Sequence, residues 1–257
     1  MNELLNLGMH PFASEAMKKG VDAQRPLCKS LASVEPDYIR VPDEHEFFLI
    51  GVAHHLAEVL NCCQQLAHIP IFLTNYAETR KMVRAGITRH SAIVYHIENY
   101  IIRTQSLLDR ILKLVDAVFH LTNDPRNCRF DVIIHNVKVQ VSDLPDSIKA
   151  FRKLLGRYSH IRNEVTHEHS LKDDELRGLD LLYLVERWER ISPKKSASNV
   201  RDEINERILE ILLKKKKEFL AFNKEIASSV TEIFDKLTPY YAREEQSLRL
   251  RLSKSEK

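Results

Sequence analysis

From Thr88 to Leu121 the chain keeps one apolar rhythm, with Ile93, Ile97, Tyr100, Ile101, Leu107, Leu108, Ile111, Val115, Val118 and Phe119 recurring three or four residues apart. That spacing is the repeat of an α-helix, so the segment is expected to be a central core helix. A face this long is buried only against similar faces, and the chain supplies two more. Phe47, Phe48, Ile50, Leu56, Val59, Leu60, Cys63 and Leu66 line one from Glu44, expected to end before Pro70. Ile204, Ile208, Leu212, Phe219, Phe222, Ile226, Val230, Ile233 and Leu237 line another, from about Arg201 to Leu237. Only six glycines and nine prolines punctuate 257 residues, too few for a fold of many short strands. The expected class is all-α, a bundle with long central helices.

Three regions follow from the punctuation. Residues 1–45 carry Pro11, Pro26, Pro36 and Pro42, which are expected to break any continuous helix and leave an arm. Residues 46–191 hold the bundle. Within it Asn123-Asp124-Pro125 marks a turn, Asp131 to Val141 reads as a short strand or as a helix and a loop, and a helix begins at about Asp143 to Pro145. Residues 192–257 form a long helix and a basic tail, packed on the bundle and frayed after Thr238. Lys214 to Lys217 point in four directions on a helix and so form no single phosphate-binding face.

Composition narrows the chemistry. A net charge of +3 permits nucleic acid without demanding it. Cys28, Cys62, Cys63 and Cys128 have no zinc spacing, which fits a reduced, cytoplasmic protein. The first twenty residues lack the pattern of a signal peptide, and no apolar run is long enough to span a membrane. His54 and Glu58 share a helix face at one-turn spacing, but no partner set of ligands accompanies them, so neither metal nor other cofactor is expected.

The densest titratable chemistry lies in Tyr158 to His169, Tyr-Ser-His-Ile-Arg-Asn-Glu-Val-Thr-His-Glu-His. At about 100° per residue, Leu154, Tyr158, Ile161 and Val165 share an apolar stripe that faces a core. His160, Asn163 and His167 fall together on the far side, while Arg162 and His169 lie along one edge of the stripe. Arg103 and Arg110, seven apart on the central helix, also share a face. They either line an RNA groove or are solvated and ion-paired with nearby acids, the second reading being favoured.

Arg162-Asn163-Glu164-Val165-Thr166-His167 resembles the motif of the HEPN superfamily, an arginine, a polar residue, three residues and a histidine on a helix of an all-α bundle. Arg40 to His45 has the same spacing, but Val41-Pro42 argue against a helix there. Arg84 to His90 and Arg129 to His135 are one residue longer and lack the polar neighbour. The resemblance extends upstream through the helix carrying Tyr100, Arg103, Leu107, Asp109 and Arg110, and covers about residues 46 to 191. It implies a HEPN-type bundle that binds or cleaves RNA without metal, with the arginine and histidine of two subunits meeting at a homodimer interface. Carried over, it makes Arg162, Asn163 and His167 the catalytic candidates, with His169, His160 and Thr166 as auxiliaries. It also implies roles in toxin or phage-defence systems, where an antitoxin or other regulatory protein is a further expected partner.

These residue types suit the reaction. Attack by a ribose 2′-hydroxyl needs a base, an acid for the leaving 5′ oxygen, and positive charge on the phosphate. Histidine serves either proton transfer near neutrality, and arginine offers a permanent charge with forked donors. On an ideal helix Arg162 and His167 stand about 140° apart. They cannot readily grip one phosphate from one subunit, and a two-fold partner supplies the missing face. The alternative is a non-catalytic RNA-binding or dimerising helical module.

Overall fold

The computed structural model describes residues 3–32, 41–75, 79–87, 89–124, 126–159, five positions between 181 and 188, and 197–255. Every regular element among them is helical: α1 (Glu3–Asn6), a 3₁₀ turn (Leu7–Met9), α2 (Pro11–Ala32), α3 (Glu44–Thr74), α4 (Arg80–Arg84), α5 (Arg89–Val118), α6 (Phe130–Ile134), α7 (Val137–Gln140), α8 (Leu144–Leu155), a 3₁₀ turn (Gly156–Tyr158) and α9 (Ala197–Ser255). The segment at Asp131 to Val141, open between strand and helix, is the two short helices α6 and α7. No described helix is long and apolar enough to cross a membrane. The chain forms two compact units, one of residues 1–64, 106–154 and 225–257, the other of residues 65–105 and 155–224. The helices α3, α5 and α9 each contribute to both.

In the first unit Pro11 and Pro26 do not break the N-terminal segment as expected, while Pro42 stands outside any helix just before α3. Pro11 opens α2, where its missing N–H is one the helix leaves unpaired anyway. His10 caps the same end, its Nδ1 accepting from the Phe12 N–H at 3.3 Å, and its Nε2 lies 3.0 Å from Asp235. Pro26 falls late in α2 and the helix continues past it. What holds α2 is burial: Phe12, Ala13 and Ala16 are at most 1% exposed, and the Phe12 ring meets Phe234 and Tyr241 at 5.4 and 5.7 Å. Gly20 sets the approach to α3, since a Cβ there would stand 2.2 Å from the Ala53 Cβ and 2.9 Å from the Leu49 carbonyl oxygen.

The tail after Thr238 is likewise not frayed. α9 runs through Pro239 to Ser255 because Tyr241, Glu245 and Leu248 are buried. Tyr241 stacks on Phe48, and Glu245 accepts from Lys19 Nζ at 2.6 Å.

In the second unit α3 passes through Pro70, where the sequence suggests a stop. A proline inside a helix removes the N–H that would reach the carbonyl four residues back, here Leu66. Asn223 Nδ2 donates to that carbonyl at 3.1 Å, replacing the lost bond from another helix. Asn223 is 1% exposed, and its Oδ1 accepts from the Tyr100 hydroxyl at 2.8 Å. The Tyr100 ring lies flat on Phe219, 3.7 Å between centroids. The Asn223 amide and the Tyr100 hydroxyl are therefore satisfied within this core. Leu66, Ile93, Ile97, Leu212 and Phe222 complete the surroundings as fully buried apolar side chains.

Candidate functional site

The motif candidates His160, Arg162, Asn163, Thr166, His167 and His169 lie outside the described residues. What leads into them is described and closely held. The α8 helix carries the chain to Leu155, whose carbonyl accepts from Gln105 Nε2 within the second unit. After one 3₁₀ turn, Tyr158 is 3% exposed, as the apolar stripe requires. Its hydroxyl donates to Glu218 Oε1 at 2.6 Å, and its ring meets Tyr100 and Phe222 edge-on at 6.1 and 5.1 Å. Arg157 places its guanidinium 4.5 Å from the Phe222 ring centroid. Tyr158, two residues before the first motif candidate in sequence, is thus held by α5 and α9.

The lysine run behaves as four separate side chains. Lys215 is buried and donates to Glu218 at 3.1 Å, Lys216 donates to the Thr74 hydroxyl at 3.0 Å, and Lys214 and Lys217 are exposed.

Arg103 and Arg110 stand on α5, engaged by neighbouring side chains. Arg103 Nη1 donates to Gln65 Oε1 in the second unit. In the first unit Arg110 Nε lies 3.7 Å from Glu58 Oε2, and its Nη1 donates to the Ser106 carbonyl at 3.1 Å. The acids flanking Arg110 in sequence are not its partner; Glu58 comes from α3. His54, His55, Glu58, Asp109, Arg110 and Lys113 together line a cavity of about 300 Å³. Among the described residues no group of three or more metal-ligating side chains is placed to hold an ion. Burial lowers the pKa of His55 below its ordinary value, and the neighbouring His54 and Lys113 push the same way against Glu58. Sequence spacing showed that His54 and Glu58 share a face, but nothing in it showed that α5 would answer with two cations.

These elements define an all-α protein of long helices whose richest run of arginine and histidine follows a rigidly anchored tyrosine. A family model, Cthe2314-like HEPN, matches residues 48–238, and the chain belongs to that family. The match contains Arg162 to His167 and continues beyond Ile191, so most of α9 belongs to the family unit as well. No curated protein and no solved structure matches the chain.

Proposed function

We propose that this protein is a metal-independent endoribonuclease working at a composite site between two copies of the chain. The observation that carries the reading is that Arg162, Asn163 and His167, at the HEPN motif spacing, fall inside the residues that the family model matches. The buried Tyr158 supports it, because a stripe fixed inward at Tyr158 turns His160, Asn163 and His167 away from that stripe on a continuing helix. In this reading His167 of one copy takes the proton of the 2′-hydroxyl or gives one to the leaving 5′ oxygen. Arg162 of the other holds the phosphate as charge grows on it, and Asn163 orients the imidazole or the phosphate. His160, Thr166 and His169 assist. A role in a toxin or phage-defence system, held in check by an antitoxin or other regulator, is part of the same proposal.

Cleavage of an end-labelled RNA pool in EDTA tests it. Wild type is expected to give cyclic-phosphate and 5′-hydroxyl ends, and Arg162→Ala and His167→Ala to lose at least 10²-fold in rate while keeping their circular dichroism. Equal activity in all three chains removes the motif from the mechanism. RNA binding without cleavage by wild type, unchanged in His167→Ala, leaves a non-catalytic RNA-binding module.

A further inference from the structure

Four aromatic rings gather where α3 ends and α5 begins, within the second unit. His68 and Phe72 lie in the last two turns of α3, and Tyr95 and His96 in the second turn of α5. Phe72 and His96 stack at 5.1 Å and 24°, His68 meets Phe72 edge-on at 6.3 Å, and Tyr95 meets His96 at 5.6 Å. Burial keeps His96 below its ordinary pKa, so at neutral pH it is an uncharged ring. A ring cluster that served only the core would be covered, yet Tyr95 is 62% and Phe72 47% exposed.

The link between these helices adds charge of one sign. Between Phe72 and Tyr95 the sequence carries Arg80, Lys81, Arg84 and Arg89 against a single acid, Glu78. Arg80, Lys81 and Arg84 are exposed on α4, with no carboxylate partner among the described residues. Arg89 begins α5, and its Nε is shielded from solvent without a hydrogen-bond partner among the described residues. Lys216 reaches the same end of α3, at Thr74. Gly86, at φ +73°, ends α4 in a conformation that side chains rarely adopt and turns the chain back toward α5.

We propose that this end of α3 and α5 is a platform for single-stranded RNA, with Phe72 and Tyr95 stacking unpaired bases and Arg80, Lys81 and Arg84 holding the phosphates. Exposed rings need free base faces, and a duplex hides its base faces inside its own stack. Cations exposed on the short helix that joins the two ring-bearing helices match a backbone that carries one charge per nucleotide. The platform rests on the RNA reading above and specifies the substrate as an unpaired strand.

The test is fluorescence anisotropy with a labelled single strand of about 12 nucleotides, the same strand in a duplex, and an abasic strand of equal length. The full chain is used with His167→Ala, so that no probe is cut. Phe72→Ala and Tyr95→Ala are each expected to weaken the single strand about tenfold and leave the abasic strand unchanged. Arg80→Gln/Lys81→Gln/Arg84→Gln should weaken both and flatten the salt dependence by a slope of about 2. Ring variants that bind like the parent, equal affinity for the duplex, or binding to phosphatidylserine vesicles in place of RNA each overturn the platform. Failure of the nuclease reading is distinct: the ring variants lose RNA affinity while the wild-type chain cuts nothing.

Discussion

The two compact units solve the same folding problem with different materials. The first is closed by rings and small residues, Phe12 between Phe234 and Tyr241 and Gly20 against Ala53, with ion pairs such as Lys19 to Glu245 at its margin. The second holds a proline-interrupted helix together by one buried amide, Asn223, and leaves rings and cations exposed at one end. Apolar closure asks only for volume and tolerates repacking, whereas a buried amide must meet each of its partners. The difference separates side chains whose placement the fold explains from those it does not. Tyr95, Phe72 and the α4 cations are of the second kind, which is why they are read as function.

The largest expected effect lies at Asn223. Asn223→Leu strands the Leu66 carbonyl and removes an acceptor of the Tyr100 hydroxyl, and should cost about 3 kcal/mol in urea unfolding. Pro70→Ala restores the N–H to that carbonyl, so the Asn223 substitution should cost measurably less in that background; strict additivity of the two would break the account of how α3 passes its proline. In the first unit Gly20→Leu should cost about 2 kcal/mol, since even a Cβ meets Ala53 and the Leu49 carbonyl. An unchanged thermal midpoint would show that α2 and α3 are not closely packed.

Smaller effects come from charge. Glu245→Gln should cost about 1 kcal/mol, because Lys19 keeps Glu15 and stays partly solvated. Burial alone would lower the Lys19 pKa, but its bonds to Glu15 and Glu245 outweigh it and raise the group above 10.5. A raised amine stabilises the fold fully below its unfolded pKa, so this contribution should persist through neutral pH and fade only as pH rises past about 10.5. Alkaline unfolding of wild type and Lys19→Met should converge in that range. The smallest is His55, whose titration by NMR should fall below that of an exposed imidazole. With a depressed pKa it favours the fold when neutral, and that contribution declines as pH drops through about 6.5 and then through its folded value.

What the sequence disclosed follows a physical line. The central helix was legible almost to its ends, Thr88 to Leu121 expected and Arg89 to Val118 found, because an uninterrupted apolar period is a local signal. Pro70 was not, because the group that makes it tolerable, Asn223, lies 157 residues beyond Leu66. The extension of α9 past Pro239 depended on Phe48 and Lys19 for the same reason, and α2 on Phe234. In the motif the spacing and polar stripes were readable, and Tyr158 is buried where the stripe required it. The placement of Arg162 and His167 lies outside the described residues, and the pairing of Arg110 with Glu58 needed a contact between helices that no periodicity encodes.

The most direct test of the composite site is to mix Arg162→Ala and His167→Ala chains after joint refolding and to assay RNA cleavage in EDTA. Each variant alone is expected to be inactive. In a two-fold dimer, half of the assemblies are mixed and each of those keeps one intact site, so the mixture should regain about a quarter of wild-type activity. A mixture shown to contain mixed dimers but no more active than its parts, under conditions in which wild type cuts RNA, would contradict a site built from Arg162 of one copy and His167 of another.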